Sequence, residues 1–185
     1  SHIILFGAFI AMAFIGSGLN SIASTSFTRE GVHLDMLKYL PADLGKQIRA
    51  KVWVAILFTF IPVAFAVAAV TVFFGVSSWL PLYIITAFVC ILTATMIGVI
   101  MDSISPYTVW SDELSALRGN LNCFFNLAAE LIAALFAGGV LYGTYLLTKN
   151  SVITISAVAA ILVVASVLIV ITGLPRVRKN IESLK

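Results

Sequence analysis

Residues 52–101 read VWVAILFTFIPVAFAVAAVTVFFGVSSWLPLYIITAFVCILTATMIGVIM, without one Asp, Glu, Lys or Arg. A helix crosses the hydrocarbon layer of a bilayer, about 30 Å thick, with about 20 apolar residues. The stretch therefore holds two crossings. Their boundary is Gly75-Val-Ser-Ser-Trp79 followed by Pro81, a tight turn with a proline near a helix start. So short a connection makes the two helices antiparallel neighbours.

The same reading extends outward. No charge lies between Asn150 and Pro175, and the whole chain of 185 residues is 61% hydrophobic and 10% charged. Soluble domains are about 45–50% apolar and about 25% charged, so a soluble enzyme is excluded. Five spans are predicted, over residues 3–24, 52–74, 80–101, 124–147 and 152–174, with Thr148-Lys-Asn-Ser151 as a second short turn. The expected fold is an all-α polytopic membrane bundle of five transmembrane helices, forming a single transmembrane domain over 1–185.

Basic residues orient the bundle, because cytoplasmic loops retain Lys and Arg. Arg29, Lys38, Lys46, Arg49 and Lys51 fall between the first two spans, Arg118 between the third and fourth, and Arg176, Arg178, Lys179 and Lys185 in the tail. Only Lys149 lies on the other side. Five crossings satisfy this partition, and removing an interior one would scatter basic loops over both faces. Both long loops and the C-terminus are expected in the cytoplasm. The net charge of +3 and pI near 9.0 follow from this topology, and no basic stripe interleaved with aromatics points to nucleic acid.

Cys90 and Cys123 lie within or beside apolar segments and read as small core residues, neither a disulfide framework nor a metal cluster. The chain begins Ser1-His2 and enters an apolar helix at once, which predicts no signal peptide and missing sequence upstream.

Polar groups inside the spans carry the next signal. Ser17, Asn20, Ser21, Ser24 and Thr28 recur at helical spacing and predict one polar stripe on the inner half of the first span. Such a stripe lines a polar translocation route or glues helices together through hydroxyls. Glu130 is the one acid inside a span; an unpaired carboxylate there costs several kcal/mol, so it should pair, face the bundle or be protonated. It reads as a substrate or proton site, or as a structural carboxyl bonded to a neighbour's hydroxyl or to Arg118. In the same span Ala133, Ala137, Gly139 and Gly143 offer small residues for close helix contact. Pro62 is expected to bend the second span, with Thr59 or neighbouring helices satisfying freed carbonyls.

The two inner loops are the most informative stretches. From Gly31 to Lys51, Leu34, Leu37, Leu40, Leu44 and Ile48 alternate with charges and are interrupted by Pro41. This predicts a pair of short amphipathic helices at the headgroup surface, either an anchor or a docking element for a cytoplasmic partner. His33 reads as a surface residue, since no second His or Cys is near. In the loop from Asp102 to Asn122, Tyr107 and Trp110 suit the interface belt, and Ser111-Asp112-Glu113 reads as a helix start.

At these loops the chain resembles bacterial permease subunits of ATP-binding-cassette exporters. One signature is Asn20-Ser-Ile-Ala-Ser-Thr-Ser-Phe-Thr-Arg-Glu-Gly31, then Leu37-Lys38-Tyr39-Leu40-Pro41, then Gln47, Ile48 and Lys51. The other is Asp102, Pro106, Trp110 and Glu113, then Arg118-x-Asn120-x-Asn122. The second departs from the family in Arg118, where Lys is usual, and in Tyr107, where a basic residue often follows the proline. Family members are longer, so the resemblance implies the C-terminal portion of a permease.

It also implies a subunit that is not itself an enzyme and binds no cofactor, in a bacterial cytoplasmic membrane, working with a separate ATPase chain that holds ATP and Mg, and with a second permease half. Consistently, no Gly-x-x-x-x-Gly-Lys-Ser/Thr stretch is present. Arg29, Glu30, Gly31, Leu37, Lys38, Pro41 and Lys51 would then form the ATPase-coupling loop, and Asp102, Pro106, Trp110, Glu113, Arg118, Asn120 and Asn122 would brace the inner mouth. Ser17, Asn20, Ser21, Ser24 and Glu130 remain the intramembrane polar candidates. The alternatives are a non-transport scaffold or immunity-type protein, or an intramembrane enzyme built on Glu30, Glu113 or Glu130 with His33.

Overall fold

The computed structural model describes residues 2–39, 41, 43–75, 77–118 and 120–184, apart from the side chains of Ser77, Glu113 and Arg118. Its helices are α1 (His2–Leu19), α2 (Met36–Tyr39), α3 (Leu44–Phe73), α4 (Leu80–Ile104), α5 (Glu113–Arg118), α6 (Leu121–Thr148) and α7 (Ser151–Ser183). Five of them are long and apolar enough to cross a membrane, and strands are absent among the described residues.

Helix α4 is the centre. It packs against each of the other four long helices, and 56% of its apolar window is buried inside the bundle against 22% for α6. Tyr83 at its start is fully buried, with the rings of Phe6 and Phe9 at 5.9 and 5.2 Å. The outer helices turn Phe65, Phe73, Leu135, Phe136, Leu147 and Ile171 outward. In water such a surface would drive aggregation; in lipid it is the solvated face. Because lipid removes the hydrophobic drive between helices, close approach matters. It is tightest at Gly173 of α7, where a Cβ would stand 2.8 Å from Ile100 Cδ1 and 2.9 Å from Met96 Cε.

The ends of the bundle segregate. One end gathers His2, Trp79 and Tyr83, with His2 and Trp79 rings 5.3 Å apart. The other gathers both long loops and the tail: Asn180 Nδ2 donates to Ser103 Oγ at 3.0 Å, and Lys38 Nζ donates to the Leu184 carbonyl. Nine of the ten basic positions among the described residues therefore belong to one end, here called the basic face, and Lys185 lies outside the described residues.

Three boundaries differ from the sequence expectation by more than one helical turn. Helix α1 stops at Leu19, short of residue 24, and residues 21–27 wind as successive turns. Gly16, Ser17, Gly18 and Asn20 crowd this end, and glycine and short polar side chains weaken a helix. Helix α3 starts at Leu44, so the amphipathic stretch after Pro41 runs on into the second span without a break. Before it, the first loop holds a 3-10 helix at Thr28–His33 and the single turn of α2. Helix α7 continues through Pro175 to Ser183. At about 1.5 Å per residue, α3 and α7 are about 45 and 50 Å long, well beyond the hydrocarbon layer, and their surplus carries Lys46, Arg49, Arg176, Arg178 and Lys179 out at the basic face.

The second short turn forms as expected. Lys149 takes a left-handed conformation (φ 50°) at the end of α6, and Asn150 caps α7, its Oδ1 accepting from Val152 N at 2.9 Å and Ile153 N at 3.3 Å. Pro62 lies inside an uninterrupted α3. Thr59 does not serve the carbonyl that Pro62 frees: its hydroxyl donates to Ala55 O at 3.1 Å and accepts from Asn20 Nδ2 at 2.8 Å.

Candidate functional site

Asp102 occupies the last turn of α4, where the negative end of the helix dipole disfavours an acid, and it is fully buried. A carboxylate in that position needs donors. It has four: Phe27 N–H at 2.6 Å and Thr28 N–H at 3.0 Å on Oδ2, and Thr28 Oγ1 at 2.6 Å and Asn122 Nδ2 at 3.1 Å on Oδ1. The turn after α1 exists to deliver two of these, since successive backbone N–H groups in a turn form an anion cradle.

Thr28 is the other half of the knot. Its hydroxyl donates to Asp102 and accepts from Tyr107 N–H at 3.1 Å and Asn120 Nδ2 at 3.2 Å, while its carbonyl accepts from Trp110 Nε1 at 2.9 Å. Asn120 caps α6 by accepting Asn122 N–H at 2.9 Å, and Asn122 Nδ2 also donates to Ser105 O at 2.8 Å. One buried threonine and one buried aspartate thus tie the first loop to α4, to the second loop and to the start of α6. Trp110 lies over Gly31, which has φ 54° and ψ −135°. A Cβ there would stand 2.9 Å from Trp110 Cζ2, so glycine is needed both for the conformation and for the ring.

Around the knot, Lys51 pairs with Glu30, donates to Ser26 O at 2.9 Å and lies 5.8 Å from the centre of the Phe27 ring. Gln47 Nε2 donates to Leu37 O at 3.3 Å, holding the first loop onto α3. Arg29 Nε donates to Thr25 Oγ1 at 3.0 Å, and its side chain is exposed. A cleft of about 350 Å³ opens between the loops, lined by Thr25, Arg29, Trp110, Ala116 and Leu117.

The sequence candidates therefore separate by role. Glu30, Gly31, Leu37 and Lys51 are internal braces, Lys38 reaches the tail, and Arg29 and Pro41 face outward. In the second loop Asp102, Trp110 and Asn120 bond to Thr28 directly, and Asn122 joins through Asp102. Pro106 lies beside it, lining a cavity with Leu34, Asp35 and Leu184. The side chains of Glu113 and Arg118 lie outside the described residues. The helix start there is capped by Asp112, whose Oδ1 accepts Ser115 N–H at 2.7 Å.

The intramembrane polar set does not form one continuous stripe, because α1 ends within it. Ser17 is buried with its hydroxyl unpartnered. Asn20 binds Thr59 beside a cavity of about 420 Å³ between α1 and α3. Ser21 O accepts Thr25 Oγ1 at 2.6 Å, and Ser24 Oγ lies 3.6 Å from Cys123 Sγ. Glu130 is fully buried with both oxygens unpartnered. Ala137 is buried, but Gly139 and Gly143 have open space where a Cβ would be.

Residues the sequence left unmarked include Asn126, fully buried one turn before Glu130, and Val32 and Met36 of the first loop, 76% and 61% exposed, which make an outward row with the signature residue Tyr39, 85% exposed. His33 is exposed beside that row, at the opposite end of the bundle from His2. Among the described residues no three His, Cys, Asp or Glu side chains converge as metal ligands would. Comparison of the chain with protein-family models, with curated proteins and with solved structures gives no match.

Proposed function

We propose that this chain is the permease portion of an ATP-binding-cassette exporter in a bacterial cytoplasmic membrane, its basic face in the cytoplasm. A separate ATPase holds ATP and Mg, and a second permease half completes the transporter. The two loop signatures quoted above support this reading, as does the concentration of basic residues at one end. The observation that carries it is the Asp102–Thr28 knot. Apolar side chains grouped on a surface mark interaction sites, and here Val32, Met36 and Tyr39 stand exposed on a loop fastened by that knot to α4 and α6.

The mechanism follows from that fastening. An ATPase that grips Arg29, Val32, Met36 and Tyr39 displaces Thr28 when it changes shape on binding and hydrolysing ATP. Because Thr28 is bonded to the end of α4 and to Asn120 at the start of α6, the displacement moves helix ends rather than a slack loop. Access then alternates across the bundle, with no nucleotide chemistry on this chain.

The test is co-expression with the product of a neighbouring gene that carries a phosphate-binding loop. The expected result is a complex that survives detergent purification and is lost in the Met36→Asp/Tyr39→Asp variant, which leaves the knot intact. An ATPase that never associates, or that binds the double variant equally well, overturns the motor-coupled reading in favour of a membrane scaffold.

A further inference from the structure

The knot leaves one buried acid unexplained. Glu130 lies about 14 Å along α6 from Leu121, within the apolar layer, and is fully buried. Neither carboxyl oxygen has a hydrogen-bond partner, and neither do the amide oxygen and nitrogen of Asn126, its neighbour one turn earlier on the same helix face. Asp102, by contrast, holds four donors at the end of α4. Two buried carboxyl groups in one bundle are thus treated in opposite ways: one is supplied with four donors for an anion, the other has only the neighbouring Asn126 amide to turn to.

Every helix packed on α6 agrees. Helix α1 brings no charged side chain apart from His2 at the far end, α4 brings only the saturated Asp102, and the charges of α7 begin at Arg176. The backbone of α1 closes the site directly, since a Cβ on Gly18 would come within 2.9 Å of Glu130 Oε2. The backbone of α4 does the same for Asn126, a Cβ on Gly98 falling 3.0 Å from its Oδ1. A metal cation would need several oxygen ligands converging on it; packed glycine backbone supplies no such shell. The ligand that fits a carboxylate sealed with one neutral amide neighbour and no space is a proton.

We propose that Glu130 is a proton-binding site of the bundle. In this conformation it is the neutral carboxylic acid, and it ionises only when α1 and α6 part at Gly18 and admit water, which takes the proton. Asn126 is the positioning residue, offering an amide oxygen to the acid O–H and an amide N–H to its carbonyl. Proton release is thereby tied to separation of α1 from α6, whose start is bonded to Thr28 of the loop that follows α1, and the assignment holds whether or not an ATPase drives that separation.

The experiment is infrared spectroscopy of the full chain in liposomes at neutral pH, with glutamate labelled by ¹³C at its side-chain carboxyl so that Asp102 is silent. The expected spectrum contains a protonated-carboxyl band that shifts with the label, disappears in Glu130→Gln and persists in Glu113→Gln. Glu30 and Glu182 are ion-paired and belong to the carboxylate bands. The idea is overturned by a labelled wild-type chain showing carboxylate bands alone, by a protonated band lost in Glu113→Gln instead, or by one that appears only when sodium and potassium are removed. The wild-type and Glu113→Gln spectra decide the matter even where Glu130→Gln fails to fold.

Discussion

Replacing Thr28 by valine keeps the branched shape of the side chain and deletes its hydroxyl, which makes three bonds. Asp102 Oδ1 loses a charge-assisted donor that stood at 2.6 Å, worth about 1.5–3 kcal/mol. Asn120 Nδ2 loses its acceptor while its residue stays 5% exposed, adding about 1–3 kcal/mol for an unsatisfied buried donor. Tyr107 N–H belongs to an exposed residue and recovers a water, adding little. The expected loss is about 3–5 kcal/mol, a large part of the roughly 5–15 kcal/mol available to a folded protein, and a fall of roughly 10 °C in Tm. Thr28→Ser keeps all three bonds and loses one methyl group, so about 1 kcal/mol suffices. The assay is thermal unfolding in detergent combined with iodide quenching of Trp110 in a Trp53→Phe/Trp79→Phe background, since the Trp110 indole is bonded to Thr28 O. Average hydrogen bonds between membrane helices are worth only about 0.6 kcal/mol. If Thr28→Val loses no more than that, with Trp110 as shielded as in Thr28→Ser, the knot is not what fastens the loop.

Other substitutions probe separate parts of the account. Gly31→Ala forces a Cβ into a backbone conformation that L-residues avoid and against the Trp110 ring; a loss of about 2–3 kcal/mol and greater iodide quenching of Trp110 are expected, and an unchanged Tm would contradict the geometry. Gly173→Leu should separate α4 from α7 and cost about 1–3 kcal/mol, whereas Gly143→Leu should fold normally because nothing stands within 4 Å of its Cβ position. If thermal unfolding ranks the two the other way, α6 uses its glycines against a second copy. Asn150→Ala removes the cap of α7 and should cost about 1 kcal/mol, measured by the same unfolding assay, with Asn150→Ser recovering most of it.

The five crossings were legible because each is a long charge-free run, and bilayer thickness converts such runs directly into helices. Their ends were less so. The sequence marks where charges begin, at Lys51 and Arg176, but a helix does not stop at a charge once it reaches water, and α3 and α7 continue past both. The end of α1 was missed in the other direction: Gly16 and Gly18 weaken the helix, yet the hydroxyls beyond keep helical spacing and disguise the break. The two loops were marked separately by their residue types, and their union at Thr28 was invisible, because Thr28 and Asp102 are 74 residues apart and nothing local couples them. Glu130 stood out as a lone acid among apolar neighbours. The absence of any charged partner is a property of packing at Gly18 and Gly98, which no single stretch of sequence displays.

The proposed function requires one end of the bundle, with both loops and the basic helix extensions, to lie in the cytoplasm. Single cysteines placed at Tyr39, Val109 and Lys149 in a Cys90→Ala/Cys123→Ala chain test it with a membrane-impermeant maleimide on intact cells. Tyr39→Cys and Val109→Cys should label only after the membrane is opened, and Lys149→Cys should label from outside. External labelling of Tyr39→Cys or Val109→Cys with Lys149→Cys protected would invert the bundle and remove the docking face from the reach of any ATPase.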